Sequence, residues 1–168
     1  SGNRYICSIF RPYTDQSAAM NKAHFLWVDD EIDLMKPYIL YLEEKGYGTD
    51  CTTNGSDALA MCSEKHYDIV FLDEQMPGMS GLEVLNRLNT VHPYLPVVMV
   101  TRSEDEGIME QAIGRRITDY LIKPVNPNQV LLTVRKILDQ KELIAGATTD
   151  RYRNAFRQIS DEMDRAAT

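Results

Sequence analysis

Cysteine is scarce in this 168-residue sequence, with only Cys7, Cys51 and Cys62 present. An odd number without a Cys-x-x-Cys spacing offers neither a disulfide framework nor a zinc module, and buried or free thiols in a reducing compartment fit better. Basic excess is missing too. Lysine and arginine total 18 against 25 aspartates and glutamates, a formal net charge of −7, which argues against a surface built for nucleic acid. No apolar run approaches the ~20 residues of a membrane-spanning helix. The opening SGNRYICSIFRPYTDQSAAM has neither the charge layout nor the apolar length of a secretory signal. These absences point to a cytoplasmic protein that engages neither nucleic acid nor membrane through this chain.

With 43% hydrophobic and 26% charged residues, the chain has the composition of an ordinary globular protein. Its length suits one well-buried domain and a short appendage. Residues 1–21 read as an N-terminal extension, the opening Ser-Gly being a cloning remnant and Met20 a natural start. Residues 22–140 read as the domain.

From His24 onward, short apolar runs alternate with stripes of helical period. HFLWVD is a short buried strand that ends in acids. EIDLMKPYILYLEEKG puts Ile32, Met35, Ile39 and Leu42 on one helical stripe, stopped by Gly46, with Pro37 in its first or second turn. YGTDCTT is a weak strand, GSDALAMCSEK a helix, YDIVFLD a strongly apolar strand, and GLEVLNRLNTV a helix buried through Leu82, Leu85 and Leu88. PVVMVT, EDEGIMEQAIG, TDYLI and NPNQVLLTVRKIL continue as strand, helix, strand and helix. Five strands alternating with five helices predict an α/β fold, a doubly wound parallel sheet covered on both faces. Right-handed crossovers make the flavodoxin-like order 2-1-3-4-5 the simplest arrangement.

Ligands of such sheets sit beyond the carboxyl ends of the strands. There the sequence places Asp29 and Asp30, then Asp73, then Thr101, then Lys123. Three carboxylates within ~4–6 Å repel by roughly 3–4 kcal/mol per pair at an effective dielectric near 20. That cluster calls for a cation, and hard oxygen donors suit Mg2+, with Mn2+ able to substitute. Asp29 and Asp30 could instead only cap the first helix, and Asp73 could be a third ligand or a nucleophile. A phosphoryl group on Asp73 needs a metal, a hydroxyl, an ammonium and backbone donors around it. Thr101, Lys123 and the glycine-rich loop after Asp73 offer the last three.

The pieces LWVDDE, DIVFLDEQMPGMSGLEVL, VVMVT and DYLIKPV, in this order and spacing, resemble the response-regulator receiver domain of bacterial two-component systems, from about Lys22 to Leu138. The resemblance implies a phosphorylation-activated switch rather than an enzyme with its own substrate. Asp73 would take a phosphoryl group from a sensor histidine kinase. Asp30, Asp73 and the main-chain carbonyl of Gln75 would hold Mg2+ directly, and Asp29 through water. Thr101 and Lys123 would bind the phosphoryl group, and the Lys123–Pro124 bond would be cis. Thr101 and Tyr120 would carry the signal to the surface of the fourth helix, fifth strand and fifth helix. Homodimerisation on phosphorylation there would set Glu104, Asp105, Glu106 and Glu110 against Arg135 and Lys136 of a second copy. Two positions depart from the family pattern. Arg102 follows Thr101 where Ala or Gly is usual, and GRRITDYLIKP replaces the usual approach to the last strand. Gln75 and Ser103 lie where the family tunes phosphoryl lifetime.

Other readings compete. A haloacid-dehalogenase-type phosphatase also uses an aspartyl nucleophile and Mg2+, but it resembles Asp-x-Asp, and Gln75 cannot deliver the proton of the second acid. A flavodoxin-like binding module lacks its phosphate-cradling loop here. A degenerate receiver, acting only as a binding module, sits poorly with a complete acid set. Residues 141–168 are expected to be a linker at AGATTD and the start of a helical module, with Asp150 capping a helix striped by Tyr152, Phe156, Ile159 and Met163. A downstream effector is expected to follow. FLWVDDEIDLMKPYILYLEEKGY with ITDYLIKPVNP also resembles Bacteroidetes regulators of type IX secretion, which carry an alkaline-phosphatase-like domain after the receiver.

Overall fold

The computed structural model describes residues 23–102 and 106–166. Elements alternate throughout: β1 (His24–Val28), α1 (Ile32–Glu44), β2 (Gly48–Thr52), α2 (Gly55–Glu64), β3 (Ile69–Leu72), α3 (Gly81–Val91), β4 (Val97–Thr101), α4 (Glu106–Gly114), β5 (Asp119–Ile122) and α5 (Pro127–Ala166). The five strands form one sheet in the order β2-β1-β3-β4-β5, and every pairing is parallel. This is the expected topology. The chain divides into two units, Ser1–Thr133 and Val134–Thr168, and the division falls inside α5.

In the first unit the strands are apolar on both faces because helices cover both. Leu26, Val28, Val70, Leu72, Val97 and Met99 share one cluster with Ala58 and Cys62 of α2, Leu82, Val84, Leu85 and Leu88 of α3, and Ala112 of α4. Phe25, Trp27 and Phe71 alternate with these along β1 and β3. Trp27 stacks on Phe71 at 4.6 Å and on Tyr38 of α1 at 5.8 Å between ring centroids. The α1 stripe Ile32, Met35, Ile39 and Leu42 is buried as its spacing predicts. Cys51 and Cys62 are buried free thiols, and burial pushes the Cys62 thiol up to about 11. Cys7 lies outside the described residues.

The loop from β3 to α3 is held at both ends. Gly78 adopts φ +84°, a conformation few side chains tolerate. Ser80 caps α3 in a capping box with Glu83. The buried Glu74 carboxylate takes the Leu82 N–H at 2.7 Å. Gly81 leaves no room for a side chain, since a Cβ there would press into the Asp73 carbonyl oxygen and lie 2.8 Å from Glu74 Cα.

α5 corrects one expectation. No linker breaks at residues 145–150, and the helix runs 40 residues without interruption. The segment contains no proline, and one glycine costs only ~1 kcal/mol relative to alanine in a helix. Thr148 and Thr149 donate their hydroxyls to the Ile144 and Ala145 carbonyls at 2.8 and 2.9 Å. Asp150 is not a cap but a mid-helix residue paired with Arg153 at 3.3 Å. Tyr152, Phe156, Ile159 and Met163 are exposed. Among the described residues, no helix is long and apolar enough to cross a membrane.

Two glycine substitutions separate these roles. Gly81→Ala should cost about 1–3 kcal/mol in urea unfolding, as overpacking does. Gly146→Ala, with nothing within 4 Å of its Cβ, should leave stability unchanged or raise it by up to ~1 kcal/mol.

Candidate functional site

The strand register assembles the site. Val28 pairs with Leu72 across β1 and β3, so the next residue on each strand, Asp29 and Asp73, leaves the sheet at the same level. The Asp73 N–H donates to the Val28 carbonyl at 2.9 Å, the Asp29 N–H to Thr52 at 3.1 Å, and the Lys123 N–H to Thr101 at 2.9 Å. The five strand-end residues expected from the sequence, Asp29, Asp30, Asp73, Thr101 and Lys123, therefore meet at one edge. Carboxylate oxygens of Asp29, Asp30 and Asp73 lie within 4.8 Å of one another. Asp29 and Asp73 are buried while Asp30 is exposed, which leaves the cluster open on one side.

Lys123 reaches into this cluster from β5. Its Nζ stands 2.5 Å from Asp29 Oδ2 and 3.8 Å from Asp73 Oδ1. The other Asp29 oxygen accepts the Glu31 N–H at 2.9 Å. Thr101, fully buried, hydrogen-bonds the Asp73 carboxylate. Burial pushes the Asp73 carboxyl above its ordinary value. Lys123 pulls it down, Asp29 pushes it up, and the Thr101 hydrogen bond and Asp30 act as smaller opposing influences. Glu74 is raised as well, first by burial, against the Leu82 N–H that lowers it.

The remaining expected residues surround this centre. Gln75 is exposed in the loop just past Asp73. Tyr120 is half-buried against the cluster that α2 and α3 share. The Lys123–Pro124 bond is cis. Arg102 pairs with Glu31 at 2.8 Å. Ser103, Glu104 and Asp105 lie outside the described residues, as does the Glu106 side chain.

Sequence reasoning missed three acids. Glu74 supports the start of α3, and the Ser-x-x-Glu box at 80–83 marks where that support is needed. Glu31 was not recognised as the partner of Arg102. Asp50, buried in β2, accepts from Tyr67 Oη and Lys65 Nζ at 2.7 Å each and lies 3.0 Å from His24 Nε2. Burial raises the Asp50 carboxyl, but the hydrogen bonds from Lys65, Tyr67 and His24 outweigh it and hold the group low. An acid inside a strand run was the available signal for that cluster, which braces β2 against the start of β1.

The donor set fits a hard divalent cation. Three carboxylates face a single ammonium, the donors are all oxygen, and the exposed Asp30 side leaves room for water or a phosphate oxygen. Removing one charge should relieve the same strain. Because the folded Asp73 carboxyl is raised, its ionised form disfavours the fold, and stability tied to it increases as pH falls through the folded value. In metal-free buffer at neutral pH, Asp73→Asn should raise the unfolding free energy by about 1–2 kcal/mol, because it removes a charge that burial disfavours and that Asp29 and Asp30 repel, and the Lys123 attraction only partly offsets this. Mg2+ should stabilise the native protein in the same urea titration and have little effect on the variant.

Comparisons with known proteins agree with this geometry. Residues 25–135 match the response regulator receiver domain family. The chain is 34% identical to the transcriptional regulatory protein ResD of Bacillus subtilis over 118 residues, which is 70% of this chain and 49% of that protein. It therefore spans about half the length of that relative. A CheY-like response regulator receiver domain protein from Methanospirillum hungatei JF-1 superposes with a TM-score of 0.69 at 25% identity, over 71% of this chain and 96% of the other. The receiver domain of NtrX from Brucella abortus gives 0.65 at 30% identity, over 68% and 98%. None of these relatives supports the narrower likeness to Bacteroidetes type IX secretion regulators. Family match, sheet order and acid cluster all converge, and the chain belongs to the response regulator receiver domain family of two-component signalling.

Proposed function

We propose that this chain is a phosphorylation-activated switch in which Asp73 accepts a phosphoryl group from a sensor histidine kinase. Receiver domains of two-component systems partner with histidine kinases and are typically non-enzymatic phosphoacceptors. The observation that carries the reading is the placement of Asp73. It is buried at the end of β3, bonded to Thr101, and within reach of Lys123 and two further acids.

The ionised Asp73 attacks the phosphorus of a phosphohistidine. A P–O bond forms as the P–N bond breaks, and the electron pair returns to the imidazole nitrogen, which takes a proton from solvent. Mg2+, when bound, supplies positive charge to the transferring phosphoryl oxygens, and Mn2+ is a substitute of the same chemistry. Asp30, Asp73 and the Gln75 carbonyl would hold it directly, with Asp29 acting through water. Lys123, freed from part of its load on Asp29, would pair with a phosphoryl oxygen, and Thr101 would turn its hydroxyl toward another.

Movement of Thr101 would draw the half-buried Tyr120 inward and alter the surface of α4, β5 and the start of α5. Phosphorylation-dependent homodimerisation belongs to the same proposal; Glu110 in the first unit and Arg135 and Lys136 in the second are each exposed. The exposed stripe Tyr152, Phe156, Ile159 and Met163 would serve a downstream effector. Residues 22–140 would be the receiver and 141–168 the helical connection to that output. We place the protein in the cytoplasm, where its kinase partner's phosphohistidine would be.

Incubation with Mg2+ and acetyl phosphate should add one phosphoryl mass to the intact protein, and EDTA added beforehand should prevent the gain. Asp73→Asn should gain none. Undiminished phosphorylation of that variant would sink the assignment.

A further inference from the structure

β1 and β4 are not neighbours, because β3 lies between them. Glu31 belongs to the loop after β1 and Arg102 to the loop after β4, yet their side chains meet, Arg102 Nη2 to Glu31 Oε2 at 2.8 Å. A contact joining those loops has to pass across the carboxyl end of β3, where Asp73 stands. Adjacent strands are ~4.8 Å apart, so the pair spans two such gaps, which an arginine and a glutamate reaching toward each other can bridge. Its two posts are firm. The Glu31 N–H is tied to Asp29 Oδ1 at 2.9 Å, and Arg102 follows the fully buried Thr101. The side chains themselves are 57% and 45% exposed, so the pair lies at the outer mouth of the site.

We propose that the Arg102–Glu31 ion pair is a strap over Asp73 that sets how fast phosphodonors and water reach the site. The inference rests on the reading of Asp73 as the acceptor. In phosphoryl transfer the entering and leaving atoms lie roughly in line. A donor phosphorylating Asp73, and a water hydrolysing the phosphorylated carboxylate, both need the space opposite the Asp73 oxygen. That space opens toward the mouth the strap crosses. Hydrolysis breaks the P–O bond to Asp73 and returns the carboxylate and inorganic phosphate, with water supplying the entering oxygen and its protons. Exposed ion pairs are weak, and one of this kind favours its closed form by a factor of about 1.5 to 5. The strap is therefore a modest brake on both directions. A small residue at position 102 would leave the mouth open.

Rates decide it. Phosphorylation by acetyl phosphate with Mg2+, and decay after donor removal, should be followed by intact mass in the wild type, Arg102→Ala, Glu31→Ala and the exchanged pair Glu31→Arg with Arg102→Glu. Each single variant should speed both steps about 2- to 5-fold, and the exchanged pair should return them toward wild type. Raising salt to 1 M, where screening acts within ~3 Å, should bring the wild type toward the single variants and leave their ratio to one another unchanged. In metal-free, unphosphorylated protein, side-chain NMR should show guanidinium rotation of Arg102 slowed in the wild type and free in Glu31→Ala. Single variants with wild-type rates overturn the strap alone. A slower Arg102→Ala beside an unaffected Glu31→Ala also overturns it, in favour of Arg102 binding the phosphoryl group directly. A wild type that gains no phosphoryl mass overturns the acceptor reading, and the strap's role with it.

Discussion

Lys123 and Asp29 face each other at 2.5 Å, their side chains 7% and 0% exposed. Everything else at the carboxyl edge of the sheet depends on that pair. Buried charges of this kind are costly to desolvate, and removing either partner would strand the other. The sheet enforces the arrangement regardless. Register brings Asp29 level with Asp73, and the crossover from β4 to β5 delivers Lys123 to the same edge. One ammonium is shared unequally, with the closer contact to Asp29 and 3.8 Å left to Asp73. The result is an acid cluster short of positive charge at the carboxyl edge of the sheet. That deficit is what a divalent cation would relieve.

The packing beneath the edge is what makes the strain affordable. Trp27 and Phe71 stack two residues before Asp29 and Asp73, and the shared cluster of α2, α3 and α4 fills the opposite face. The loop after Asp73 is then fixed from its far side by Glu74, Ser80 and the missing side chain at Gly81. Asp73 is thus held from both directions. Loops carry the groups around it, but strands and a helix cap decide where they stand.

Much of this was legible in the sequence, for a specific physical reason. Each apolar strand run ends abruptly in a polar group, and in a parallel sheet those ends share one edge, so Asp29, Asp73, Thr101 and Lys123 could be collected without coordinates. What could not be read was partner choice. That Lys123 leans on Asp29 more than on Asp73 follows from side-chain directions that no spacing encodes. Glu74 hid for the same reason, since its hydrogen bond to Leu82 joins residues across a loop. Asp50 hid because its partners converge from separate segments. The Ala145–Asp150 stretch misled because glycine and paired threonines signal a break locally, whereas in α5 the threonine hydroxyls bond back to the preceding turn.

The central claim is that burial raises the Asp73 carboxyl above its ordinary value, with Lys123 as the cation that partly offsets it. A pH titration of the Asp73 side-chain carboxyl carbon by NMR, in metal-free protein, tests it most directly. Its midpoint should lie above that of an ordinary aspartate, as burial and Asp29 require, and should climb further in Lys123→Met, where the lowering influence is gone. An ordinary midpoint in the wild type, or one that Lys123→Met leaves in place, would contradict the account.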